Sequence, residues 1–127
     1  MISGAALLVR RLPFIELGGF DEKIFMYCED DDLAVRMKKA GWTLGYVHDA
    51  VVEHIGGSSS NLTPDLEGFK SYHFMRSTLY VMAKHGVKFN RTKRLYTCYL
   101  KWAIAACLRA TPRMLKYRGY IRALRES

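Results

Sequence analysis

Residues 29–32 read Glu-Asp-Asp-Asp, and what flanks these four successive carboxylates limits how the chain can fold. An aromatic run, Phe25-Met26-Tyr27, precedes them, and Leu33, Ala34, Met37 and Ala40 follow at helical spacing. The acids therefore fall at a helix start, where carboxylates complement the positive end of the helix dipole. Arg36, Lys38 and Lys39 fall at the other end, and Gly41 suits the left-handed stop position. One or two acids, Asp30 or Asp31 as the cap, satisfy a helix start; four adjacent ones repel, and repulsion raises the pKa of at least one. Such a run can cap a helix, bind a cation or act as a base.

The rest of the 127 residues divides into short apolar runs and three longer helical patterns. Residues 3–9, 42–47 and 50–55 read as strands, the last two separated by His48-Asp49. Residues 56–62 are rich in Gly and Ser and read as a loop. Thr63-Pro64 signals a helix start, with Phe69, Tyr72, Met75, Leu79 and Met82 on one stripe and Gly86 as the stop. Further helices are expected over about 91–110 and from Thr111-Pro112 to about residue 124. Their apolar stripes should pack on the domain or insert shallowly at a membrane. The second has the clearer two-faced pattern, with Met114, Tyr117, Ile121 and Leu124 opposite its Arg and Lys residues.

Charge adds a constraint on partners. The net charge is +8, and beyond Lys84 the single acid is Glu126. That balance favours an anionic partner such as a nucleotide or a phospholipid surface. No nucleic-acid-binding motif is present, so nucleic acid is not expected. Cys28, Cys98 and Cys107 are odd in number and show no C-x-x-C spacing, which reads as free thiols in a reducing, cytoplasmic setting. No apolar stretch approaches the ~20 residues that span a bilayer. Neither a Gly-x-Ser-x-Gly elbow nor a glycine-rich phosphate fingerprint occurs.

A set of motifs in one order carries a resemblance. It comprises Ser3-Gly4-Ala5, Gly18-Gly19-Phe20-Asp21-Glu22, Phe25-Met26-Tyr27, Glu29-Asp30-x-Asp32-Leu33, Arg36, Ala40-Gly41-Trp42, Tyr46, and His54 before Gly57-Ser58-Ser59. Over about residues 3 to 85 this resembles the second half of family 2 inverting glycosyltransferases, near the rhamnosyltransferase-like members. The resemblance implies an α/β fold: an incomplete GT-A fold, residues 1–86 forming its acceptor-side half and 87–127 a basic helical tail. It implies transfer of a sugar from a nucleotide-diphosphate sugar donor to a hydroxyl acceptor, possibly lipid-linked, in cell-surface polysaccharide synthesis. Asp30 matches the general base; Glu29 and Asp32 match acceptor-site positions. Arg76 falls near where relatives place an acceptor or pyrophosphate contact. His54 matches a ligand of the divalent cation, Mg or Mn. The Asp-x-Asp metal motif and nucleotide-binding half that precede this region in the family have no counterpart here, so the chain reads as a fragment, inactive alone. Docking at the cytoplasmic face of an anionic membrane is expected of the tail. The alternative is a non-catalytic basic module that docks on a membrane or partner chain, its acids only completing a helix.

Overall fold

In the computed structural model, which describes residues 4–54 and 64–127, five helices follow one another: α1 (Arg11–Glu16), α2 (Glu29–Lys39), α3 (Pro64–Lys84), α4 (Arg91–Cys107) and α5 (Thr111–Glu126). No strand occurs among the described residues. The α/β, incomplete GT-A expectation is therefore corrected: the described chain is all-helical. The described parts of 3–9, 42–47 and 50–55 run without regular structure. A strand is stable only when a neighbour accepts its ladder hydrogen bonds. Among the described residues no segment pairs with these runs, and apolar side chains in them face outward, Leu8 fully exposed and Val51 86% exposed. The Gly- and Ser-rich stretch at 56–62 lies outside the described residues.

The longer helices start and stop near their sequence signals. Gly41 and Gly86 adopt φ of +86° and +71° just beyond α2 and α3. At each, the amide of the next residue, Trp42 or Val87, reaches back to the carbonyl of Met37 or Met82. That left-handed turn is open to glycine without steric cost. Asn90 caps α4, its side chain accepting from the Lys93 amide at 2.8 Å. α1 is a helix that no signal in the sequence announces.

α5 lies across both α3 and α4. Met75, Cys98, Ala123 and Leu124 form the buried centre, with Tyr72, Leu79, Phe89, Leu95, Tyr120 and Ile121 around it. The contact between α3 and α5 is close because small residues meet there. A Cβ added to Gly119 would stand 2.5 Å from the Gly68 carbonyl oxygen and 2.9 Å from the Tyr72 amide nitrogen. Alanine is the better helix former by about 1 kcal/mol. Backbone atoms cannot rotate aside, however, and overpacking of a tight contact costs about 1–3 kcal/mol. Gly119→Ala should therefore lower the thermal midpoint, and Gly119→Leu should lower it much further. An unchanged midpoint in both would show that the crossing is loose.

Candidate functional site

The acidic run opens α2 in an unusual way. Neither Asp30 nor Asp31 is the cap: the helix begins at Glu29, and Cys28 takes the cap position with no side-chain hydrogen bond. Tyr27 and Cys28 both adopt φ of +66°, in the left-handed region that non-glycine residues seldom enter. Consecutive residues held this way persist only where the surroundings fix them, and such strain gathers at functional sites. The surroundings are visible. Ser77 on α3 donates to the Met26 carbonyl at 2.7 Å, Cys28 Sγ sits 3.7 Å from Thr78 Oγ1, and the Tyr27 ring meets Phe74 edge-on. α3 thus sets the turn that aims the first residues of α2.

Asp30 lies half-buried in a shallow depression whose lining includes Gly4, Leu7, Arg11, Phe14, Phe20 and Glu29. The Gly4 amide donates to its Oδ2 at 2.7 Å and the Asp31 amide to its Oδ1 at 2.9 Å. These donors orient the carboxylate and leave each oxygen a lone pair for a further proton donor. Beside it, Glu29 Oε2 is buried and has no hydrogen-bond partner among the described residues. Burial, together with the Asp30 charge, raises the pKa of Asp31. Arg11 brings a cation to the same depression. Sequence reading passed over Arg11, which no motif in the sequence marks.

Asp32 faces elsewhere. Positions two apart on a helix point to nearly opposite sides, and Asp32 is fully buried. Arg36 Nε donates to it at 2.8 Å, Lys84 Nζ at 2.8 Å and the His85 Nε2 at 2.8 Å. Lys39 approaches the other ring nitrogen of His85 at 3.1 Å; because an ammonium only donates, Nδ1 accepts and Nε2–H is left for Asp32. Arg36 also donates to the carbonyls of Leu17 and Gly19 at 2.8 and 2.7 Å. Asp21, from the Gly-Gly-Phe-Asp-Glu motif, accepts from Tyr80 at 2.8 Å and from Lys84 at 2.6 Å. The two motifs are thus halves of one polar clamp, which fastens the glycine turn and α2 to the C-terminal end of α3.

The clamp makes stability depend on pH. Hydrogen bonds from Lys84, the Lys23 amide and Tyr80 hold the Asp21 carboxyl well below the usual carboxylate range. Burial pushes Asp32 up, but Lys84, Arg36 and His85 outweigh it and bring it below its ordinary value. Carboxyls lowered on folding stabilise the fold above their unfolded pKa of about 4 and cease to do so as pH falls through the folded values. Asp31, raised on folding, contributes in the opposite sense, but it is one group against two. Urea midpoints should therefore fall as pH drops from about 5 to about 2, and the fall should be smaller in Asp32→Asn. A flat profile would remove the clamp from the energetics.

The other candidates are not brought to Asp30. Arg76 is exposed on α3 and lines a separate depression with Tyr72, Leu79, Phe89, Arg91 and Glu126. His54 is exposed, and no contact joins it to the acidic run among the described residues. Nor do three or more His, Cys, Asp or Glu side chains gather to hold a metal ion among the described residues.

An ordered acidic helix start, aimed by its neighbours into a depression, is where similarity to known proteins becomes informative. Over half its length the chain is rhamnosyltransferase-like. It is 51% identical over 63 residues to the N-acetylglucosaminyl-diphospho-decaprenol L-rhamnosyltransferase of Mycobacterium tuberculosis, in strains CDC 1551 / Oshkosh and H37Rv alike, which is 50% of this chain and 20% of that protein. It is 49% identical over 45 residues to rhamnosyltransferase WbbL of Escherichia coli K12, which is 35% of this chain and 17% of that protein. The chain spans about one-fifth of the length of the curated relatives it matches. No family model and no solved structure matches it.

Proposed function

We propose that this chain carries the acceptor-side base of a glycosyltransferase that moves a rhamnosyl group, with inversion, from a nucleotide-diphosphate sugar to a hydroxyl of a lipid-linked acceptor in polysaccharide synthesis. The observation that carries the reading is Asp30, held by two amides at the start of α2 within a chain half of which is rhamnosyltransferase-like. Asp30 takes the proton from the acceptor hydroxyl as its oxygen attacks the anomeric carbon, and the bond from that carbon to the diphosphate breaks on the opposite face. Glu29, with its unpartnered buried oxygen, supplies an acceptor for a second substrate hydroxyl. Asp32 supports the site through the clamp and does not touch substrate. Arg11, in the same depression, attracts the anionic donor. The donor implies Mg or Mn; no step here runs through the cation, and neither His54 nor Arg76 is given a role. Work on a nucleotide sugar places the site at the cytoplasmic side of the membrane.

Because the match covers one-fifth of the mycobacterial relative, the test is a chimera. The stretch of this chain that carries Asp30 replaces its counterpart in the relative, and rhamnosyl transfer to the relative's lipid acceptor is measured. Transfer is expected to persist in the chimera and to be lost when Asp30 becomes Asn. A folded chimera with no transfer, or an active one indifferent to Asp30, would defeat the reading.

A further inference from the structure

Helix α4 is apolar on both sides, yet α5 covers one side only. Leu95, Cys98 and Ala105 turn toward the core. Tyr96, Leu100, Ala103, Ile104 and Cys107 recur three or four positions apart and form an outward stripe. All are exposed, Tyr96 to 72%, Leu100 to 52% and Ile104 to 51%. Leu108 extends the stripe past the helix end at 67% exposure. A stripe of this kind on a small domain marks an interaction surface. Lys93 falls within the stripe and Arg109 follows its C-terminal end, both exposed, while Arg94 and Lys101 lie toward the side of Cys98 and Ala105. No acid occurs between Glu67 and Glu126.

We propose that the outward face of α4 docks the protein on an anionic lipid surface. The charge pattern selects this occupant. A second copy would bring two acid-free cationic faces together, and repulsion would oppose it. Phosphates of a nucleic acid would meet the cations but leave the apolar stripe wet. A lipid interface takes both: Leu100, Ile104 and Leu108 enter below the headgroups, Tyr96 and Tyr99 settle at their level, and the cations meet the phosphates. The sequence pattern pointed to α5 for this role. The structure reassigns it, because α5 spends Gly119, Ala123 and Leu124 on the core, and Arg122 is engaged with Glu126 and stacked 4.8 Å over the Tyr72 ring. No helix among the described residues is long and apolar enough to cross a membrane, so the contact is peripheral. The inference stands on α4 alone and is independent of the transferase reading.

The test is co-sedimentation of the 127-residue chain with vesicles of phosphatidylcholine, with and without phosphatidylglycerol. Binding should require the anionic lipid and weaken as salt rises. The double variant Leu100→Asp, Ile104→Asp should bind more than tenfold more weakly with its helical circular dichroism unchanged, since both side chains lie outside the core. Lys93→Ala should lose roughly fivefold, the contribution of one cation at such a surface, whereas Lys38→Ala on α2 removes the same charge and should bind normally. Several results would overturn the proposal: no binding, equal binding to neutral vesicles, equal losses in the two lysine variants, or full binding by the double variant. So would a dimer in sedimentation velocity that dissociates on Leu100→Asp, or tight binding to DNA that competes with vesicles.

Discussion

In the chimera, Asp30→Asn should cut rhamnosyl transfer by ~100-fold or more while leaving the fold in place, because the substitution removes basicity and one amide hydrogen bond at a half-buried site. The amide is isosteric with the carboxylate, and its oxygen can still accept from the Gly4 amide that now meets Asp30 Oδ2 at 2.7 Å, while its NH2 gives up the bond from the Asp31 amide. What it cannot do is take a proton. Loss of one negative charge from the first turn of α2 costs about 0.3–1 kcal/mol of helix stabilisation, small beside the ~2.7 kcal/mol of barrier that a hundredfold represents. The loss should fall on kcat, since binding of the acceptor does not require the transfer of its proton. Asp31→Asn is the control: its carboxyl is raised by burial and by Asp30, and it should reduce turnover far less. Near-normal turnover in Asp30→Asn, or equal losses in the two variants, would take Asp30 out of the mechanism.

Asp32→Ala should produce the largest loss of stability of any single change in α2, about 3–5 kcal/mol. The carboxylate is fully buried and answers Arg36, Lys84 and His85 together. Removing it strips Arg36 of its carboxylate partner, leaves Lys84 to Asp21 alone, and unfastens α2 from the end of α3. Against the 5–15 kcal/mol typical of a domain, such a loss is a large share, and urea should unfold the variant at a much lower midpoint. Asp32→Asn should lie between, because shape and one acceptor survive. A compensated variant separates charge from packing: Asp32→Leu with Lys84→Met removes a buried ion and one of its cations together, and apolar replacements of that kind recover much of what breaking a pair loses. If Asp32→Ala unfolds at the parental midpoint, the clamp is decoration and α2 is held by Leu33 and Met37 alone.

The four longer helices, α2 to α5, were legible in the sequence because their signals are local. Apolar residues at helical spacing, Asn90 as a cap, and Gly41 and Gly86 as stops each act within a few residues. The acidic run was equally legible as a candidate, since four carboxylates at a helix start are unusual whatever surrounds them. The runs at 3–9, 42–47 and 50–55 have strand-like composition, but a strand is a property of two segments, and nothing in a single run states whether a partner exists. Among the described residues none pairs with them, and side chains such as Leu8 and Val51 face outward. The division of labour inside the run was also out of reach. Asp30 and Asp32 differ by two positions in one helix, and only the arrival of Lys84 and His85 from the far end of α3 makes one a clamp and leaves the other in the depression. The same holds for the two basic helices: α5 has the clearer two-faced pattern, yet which stripe is spent on the core was decided by where α5 crosses α3 at Gly119. Sequence determined the helices and the chemistry they carry; only the long-range packing of α3 against α2 and α5 decided which faces remained free to use it.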